Sequence, residues 1–332
     1  MKANLHLTLA AGDYESIRAL KEGTVKPEGI ELTILTDMTA EVRHARMLRG
    51  RQFDVAELSM ATYMVAKDND LPFIAITVFL HRRFRHGFAF VNTTKGIDKP
   101  TDLIGKKVGE LHRYGHDAGI WAKGALSDDY GVPAKSFTYY VGALDKPAAQ
   151  EDWAAPAAPE GVKIHPLGPG QTLDGMLEQG EIDALFSAWI PPSLRAGSPN
   201  VARLFVDYEA VERDYFRRTG IFPIMHTVVI RREVYDRNPW VAMALVEAFR
   251  KAKAIAENAY RAGSIFFTPS LMIPWVASLQ DRNRALLGDD FWPYGIERNR
   301  KVLETVLSYH REQGLLTRDW SVEELFARET LG

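Results

Sequence analysis

Apolar positions along the N-terminal third of the chain fall into two alternating patterns. Short runs rich in β-branched residues occupy 5–9, 30–35, 73–79 and 88–91, while apolar residues return at helical spacing over 14–20, 40–48 and 60–66. Strand-like and helix-like segments in alternation predict an α/β fold with helices on both faces of a mostly parallel sheet. The pattern then repeats. PTDLIGKKVGEL reads as a short helix, a turn and a strand, and AGIWAKGALSDDYGV as a helix stopped by Gly131 and Pro133. A second α/β lobe follows from this. Residues 144–163, rich in Ala, Pro and acidic side chains and without periodicity, predict an exposed excursion. Beyond it come a helix in TLDGMLEQG, a strand in DALFSAWI, a charged helix in DYEAVERDYFRRTG and one strand in IFPIMHTVVIRREV. Long helices over 240–262 and 298–313 complete the pattern.

Composition narrows the classes of function. With 332 residues and 46% hydrophobic content, the chain can bury the cores of two lobes. Its 41 basic and 43 acidic residues leave a net charge of -2, so no global field favours nucleic acid or an anionic membrane. No stretch approaches the roughly 20 apolar residues of a membrane span. The opening MKANLHLTLAAGDYES runs directly into a strand and has no signal-peptide apolar region, so a cytoplasmic location is expected. The absence of cysteine excludes disulfides, cysteine nucleophiles and thiolate metal sites, and is neutral about compartment.

The densest chemistry is HRRFRHG, between two apolar runs: Arg82, Arg83 and Arg85 with His81 and His86. Guanidinium forks suit bidentate binding of carboxylates, and this many cationic groups suit a dianion. The other reading is a solvated turn; the position between two buried strands favours the clamp. Alternation along an extended chain predicts Arg83 outward, with Arg82 and Phe84, or Arg85, inward. Among nine histidines, His6, His44, His165 and His310 lie outside any motif and are expected in structural or surface roles. His112 and His116 are spaced i,i+4, with Asp117 following, which on a helix would suit a metal. Gly115 makes this segment a loop, so direct contacts to a polar or anionic ligand are expected there instead of a metal. No phosphate-binding glycine loop or Ser-His-Asp arrangement is present.

Several phrases together resemble the periplasmic-binding-protein type II fold: LTLAAGDYESIRAL, GRQFDVAELSMATYM and DLIGKKVGEL. The resemblance covers nearly the whole chain. It implies a two-lobed α/β architecture with a ligand cleft, lobe one from 1–90 and 225–332, lobe two from 91–224, and crossing strands near 88–92 and 222–228. Within that fold the chain is similar to the 4,5-dihydroxyphthalate decarboxylases. The matching phrases are FDVAELS with Tyr63, RRFRH (82–86), Trp121 with Gly124 and YGV (130–132), TGIFPIMH (219–226) and PYGIERNR (293–300). Three places depart from the family pattern: His81 where a serine is usual, the loop Tyr114-GHDA, and Trp189 where an arginine is usual.

The family resemblance implies loss of one carboxylate from a hydroxylated aromatic acid such as 4,5-dihydroxyphthalate, giving protocatechuate and carbon dioxide. A proton must reach the ring carbon that bears the departing group, which suits a histidine. His86 and His226 occupy the matched positions, and either can be the acid. Glu57 either accepts a hydrogen bond from a phenol or pairs with an arginine. Ser59 either binds an anion or caps the following helix. Arg82 and Arg85 are expected on the spectator carboxylate, since gripping the departing one would stabilise the ground state more than the transition state. Phe84 and Trp189 are candidates for a dry wall, and His81, His112, Tyr114, His116 and Arg300 for further substrate contacts. Tyr294 and Asn299 are expected to pack and cap. No cofactor is implied, and a homo-oligomer is. Two rivals stand beside this reading: a solute-binding or ligand-sensing protein for a small aromatic carboxylate, and a metal-assisted hydrolase or decarboxylase using His112, His116 and Asp117.

Overall fold

The computed structural model describes residues 4–147, 158–265 and 273–332. Its strands are β1 (Leu5–Ala10), β2 (Ile30–Leu35), β3 (Val55–Ser59), β4 (Phe73–Arg82), β5 (Ala89–Asn92), β6 (Lys107–Leu111), β7 (Thr138–Gly142), β8 (Lys163–Pro166), β9 (Ala184–Phe186), β10 (Val201–Arg203) and β11 (Ile224–Arg231). Its helices are α1 (Arg18–Lys21), α2 (Ala40–Gly50), α3 (Met60–Asp68), α4 (Asp117–Tyr130), α5 (Leu173–Gln179), α6 (Pro192–Arg195), α7 (Tyr208–Thr219), α8 (Arg232–Arg237), α9 (Trp240–Ile265), α10 (Val276–Leu287) and α11 (Arg300–Glu312).

The strands form two sheets, one for each lobe. The first has the order β2-β1-β3-β11-β4, the second β10-β5-β9-β6-β7-β8. In the first, β1 pairs in parallel with β2 and β3, while β11 runs antiparallel between β3 and β4. The chain thus leaves the first sheet after β4, builds the second, and returns to insert β11 between β3 and the edge strand β4. The expected crossing stretches resolve differently: 89–92 belongs wholly to the second sheet, and β11 wholly to the first. The strand expected over 73–79 runs on to Arg82. The helix expected over 14–20 is a 3-10 turn followed by the single turn α1. Part of the expected excursion, 148–157, lies outside the described residues.

Local signals account for the helix boundaries around the cleft. Ser59 caps α3, accepting from Thr62 N at 3.0 Å, and His116 caps α4, its Nδ1 accepting from Ala118 N at 3.2 Å. Gly131 closes α4 in the left-handed region, where a glycine has no Cβ to clash.

The C-terminal helix α11 packs on α4 of the second lobe. Tyr309 stands edge-on to Trp121 at 5.5 Å and donates to Asp128 at 2.6 Å. Gly124 makes that approach possible, because a Cβ there would lie 2.2 Å from the Tyr309 ring. A single apolar cluster therefore runs from Met64 and Phe79 through Trp121 and Tyr139 to Val306 and Tyr309. Trp121 also donates to Ile224 O at 3.0 Å, fixing the start of β11 against the second lobe. Among the described residues, no helix is long and apolar enough to cross a membrane.

Candidate functional site

Because β11 is antiparallel to its neighbours, its first residues meet the last residues of β3 and β4. His226 lies opposite Ser59 on one side and His81 on the other. The β4 register shifts on both sides of His226, and such irregularities re-aim side chains next to sites. The result is a cavity of about 190 Å³ at the sheet end, closed on its other wall by the loop before α4 and by Ala188 and Trp189. A cavity of ~150 Å³ accommodates benzene, so this one has room for a single substituted ring.

Glu57, fully buried below that floor, organises it. Its carboxylate accepts from Gly12 N (2.7 Å), Tyr14 Oη (2.7 Å), Arg43 (2.7 Å) and His226 Nδ1 (2.5 Å). Burial alone would raise its pKa. The charge and hydrogen bond of His226, then Arg43 and the Tyr14 hydroxyl, reverse that and hold it well below the usual carboxylate range. An ionised Glu57 fixes the Nδ1–H tautomer of His226 and leaves Nε2 toward the cavity, 4.0 Å from Asp117 Oδ2. Glu57 itself does not line the cavity, but two of its partners, Tyr14 and His226, do.

Two further imidazoles stand edge-on to His226: His81 at 4.8 Å and His44 at 5.2 Å between ring centroids. Burial, then the charges of His226 and neighbouring arginines, pushes His81 down to about 2 and His44 well below its ordinary value. Both are neutral at physiological pH. From the second lobe come His112, Arg113, His116 and Asp117. Burial and then its neighbour His112 push His116 down, and its cap bond leaves Nε2 as the protonated nitrogen. His112 holds a left-handed backbone (φ 63°), a strained conformation of the kind found at binding loops. Asp117 spans the cleft, accepting from Ala61 N in the first lobe at 2.9 Å.

Cationic groups line the same space: Arg83, Arg85 and Arg113. Arg85 is buried, its Nε and Nη2 against the Met225 sulfur and its Nη1 without a hydrogen-bond partner. Burial lowers it to about 9, so it remains charged at neutral pH. Arg113 Nη2 donates to Thr62 Oγ1, which orients it across the cleft.

The residues expected at the site divide sharply. His226, Ser59, His81, Arg85, His112, His116 and Trp189 line the cavity. Arg82 does not: its guanidinium donates to Phe222 O at 3.0 Å, Pro293 O at 2.8 Å and Asn299, under the sheet. Arg83 is exposed, as expected, and also lines the cavity. His86 sits outside the cleft between Phe205 and Tyr215, where burial pushes it down to about 4 and neither ring nitrogen finds a partner. Phe84 stacks on Phe222 at 4.6 Å, and Tyr114 donates to Gln313 O at 3.1 Å; neither reaches the cavity. Arg300 is exposed and pairs with Glu323 at 2.6 Å. Asn299 anchors Arg82, and Tyr294 is buried in the first lobe's core. Among the described residues no group of three or more His, Asp or Glu side chains converges to hold a metal ion.

Sequence reasoning passed over Tyr14 and Arg43, and it put His44 in a structural or surface role, whereas His44 lines the cavity. A signal for two of them was there: Arg43 and His44 precede the buried Met47 and Leu48 by one helical turn, so both lie on the inward face of α2. A larger hollow of about 360 Å³ between α9 and α10 shares Tyr14, but the convergent imidazoles and arginines belong to the smaller cavity.

Comparison with known proteins adds to this geometry. Residues 16–136 match the family described as NMT1/THI5 like. The chain is similar to a 4,5-dihydroxyphthalate decarboxylase of Comamonas testosteroni, 32% identical over 325 residues, or 98% of this chain and 97% of that one. A 4,5-dihydroxyphthalate decarboxylase of Pseudomonas putida is 30% identical over 214 residues, or 64% of this chain and 82% of that one. In fold, the chain is similar to the crystal structure of the periplasmic aliphatic sulphonate binding protein SsuA from Escherichia coli. The TM-score is 0.53 at 12% identity, over 98% of this chain and 99% of that one. That likeness shows the two-lobed periplasmic-binding-protein fold and nothing about ligand.

Proposed function

The chain belongs to the 4,5-dihydroxyphthalate decarboxylase family and is a decarboxylase, and from that premise we propose how it works and on what. The substrate is a hydroxylated aromatic acid such as 4,5-dihydroxyphthalate, and the product is the acid with one carboxylate fewer, here protocatechuate. One observation carries the assignment of roles: an imidazole held on a buried carboxylate, His226 on Glu57, faces a cavity lined by Arg83, Arg85 and Arg113.

In the proposed reaction the arginines hold the spectator carboxylate; Trp189 lines the cavity but is 43% exposed, so the dry wall expected there is not formed by it. His226 gives its Nε2 proton to the ring carbon that bears the departing group, while electron density from the para phenol enters the ring. The carbon–carbon bond then breaks, its electron pair restores the aromatic ring, and carbon dioxide leaves. Ionised Glu57 stabilises the cationic imidazole before transfer and keeps Nδ1–H afterwards. The step as written uses no metal or organic cofactor; turnover after treatment with a chelator tests that.

The test of the reading is carbon dioxide release from a panel of hydroxylated aromatic acids, with His226→Asn beside the wild type. The variant is expected to bind the acid within a few-fold of wild type and to lose about 10³-fold in kcat. No turnover of any member by well-folded wild-type protein overturns the reading.

A further inference from the structure

The arginine clamp and the His226 dyad leave two things unassigned: the surroundings of the departing carboxylate and the part played by Asp117. Asp117 lines the cavity, with 4% of its side chain exposed. Its Oδ1 accepts from Ala61 N, while Oδ2 stands 4.0 Å from His226 Nε2, the nitrogen that delivers the proton. The position favours a negative charge. Asp117 is the first residue of α4, Ala61 is the second of α3, and the buried Arg85 guanidinium is attracted to Asp117 from the third side. Proton transfer requires the accepting carbon within about 3.5 Å of Nε2, and the departing carboxylate is bonded to that carbon. In a cavity of about 190 Å³ the two carboxylates are therefore close neighbours. Like charges so placed repel strongly in a site screened from water, and the repulsion ends when the departing group becomes neutral carbon dioxide.

We propose that Asp117 is a further catalytic residue, one that promotes decarboxylation by repelling the departing carboxylate. The inference rests on the decarboxylase reading above and adds a residue to that site. The arginines draw the substrate in through its spectator carboxylate, and part of that binding energy is taken up in holding the second carboxylate against Asp117. When the carbon–carbon bond breaks, its electron pair restores the aromatic ring that His226 has protonated, and carbon dioxide leaves without charge. Asp117 neither gives nor takes a proton. The strain is thus present in the bound substrate and absent from the bound product, which retains only the spectator group.

The test uses the full chain, Asp117→Asn, and two ligands that differ only in the second carboxylate and have no phenol to start the reaction: phthalate and benzoate. Asparagine keeps an acceptor for Ala61 N and removes the charge. Calorimetric titration is expected to show the affinity for phthalate relative to benzoate rising about tenfold in the variant, with benzoate binding within about threefold of wild type. With 4,5-dihydroxyphthalate, kcat is expected to fall about tenfold while KM falls as well, the sign of relieved ground-state strain. A merely structural role would lower kcat and weaken binding together, and a role confined to neutralising Arg85 would tighten both ligands and spare kcat. Asp117→Ser, also uncharged, covers the case in which the asparagine variant fails to fold. An unchanged ratio in the folded variants, or a kcat within about threefold of wild type, overturns the proposal. Wild-type turnover is measured in parallel. Its absence sinks the decarboxylase reading and this proposal with it, whereas an unchanged ratio beside intact wild-type turnover sinks this proposal alone.

Discussion

Glu57 and Glu110 are both fully buried carboxylates, one beneath each wall of the cleft, and their surroundings differ in one respect. Glu110 accepts from Gly115 N (2.9 Å), His116 N (3.2 Å) and Lys123 Nζ (2.8 Å), and Lys123 in turn lies 3.7 Å from the centre of the Tyr114 ring. Every partner is loop backbone or buried side chain, so this pair holds the His112–Asp117 loop in shape. Gly119 is part of the arrangement, since a Cβ there would come within 2.0 Å of the carboxylate. Glu57 does the same for Gly12 and Arg43, but two of its partners, Tyr14 and His226, line the cavity. The same device, an ion buried with several donors, closes on itself under one wall and opens to the cavity under the other.

Two substitutions separate the two carboxylates. Lys123→Met leaves the Glu110 carboxylate buried without its counter-ion and is expected to lower stability by about 3–5 kcal/mol, read by urea denaturation. The kcat of the folded fraction should stay within a few-fold of wild type; a collapse in kcat at intact stability would make the second-lobe pair catalytic. Glu57→Gln is expected to lower kcat about 100-fold, or about 2.7 kcal/mol, with a much smaller change in KM. An unchanged kcat would reduce Glu57 to the role of Glu110.

A further effect is in pH. His44, His81, His86, His116 and His310 all have folded-state values below the ordinary one. The unfolded chain therefore binds protons that the folded chain does not, and stability falls as pH drops below about 6.5, by at most about 1.4 kcal/mol per pH unit for each histidine. For His86 and His310 the loss levels off near pH 4, and for His81 it continues toward 2. Glu57, depressed in the folded state, adds its own loss as pH falls through the usual carboxylate range and below it. Denaturation midpoints across pH 4–7 measure this, and a flat profile would mean that these imidazoles are not buried neutral.

Periodicity was legible in the sequence where local geometry sets it, and placement across the fold was not. Strands β1 and β2 stand within a residue of where the apolar runs put them. The alternation along HRRFRHG is also real, with Arg82 and Arg85 buried and Arg83 exposed as expected, but which of these side chains meet the cleft was not legible. β4 continues through Arg82 with its side chain beneath the sheet, which turns His81, Arg83 and Arg85 to the cleft. That placement depends on the shifted register with β11, a contact across more than a hundred residues that no local pattern contains. His86 illustrates a second limit. A short 3-10 turn after Arg85 carries it away from the cleft into an aromatic pocket, so its place in a matched phrase reflects packing. His226 was legible from the family phrase, whereas its partnership with Glu57, 169 positions away, required the fold.

The seating of α11 on α4 also governs when the molecule can become itself. Tyr309 meets Asp128 across 181 positions, and Gln313 meets Ile120 across 193. Chains are made from the N-terminus, and domains tend to fold as they emerge. Here the helix that carries His116 and Asp117 waits for its covering partner until nearly all of the chain has been made. Closing such long loops is slow, and the apolar face of α4 stays open meanwhile. A ribosome that stops before α11 therefore releases a chain whose first sheet is complete and whose cleft has only one finished wall.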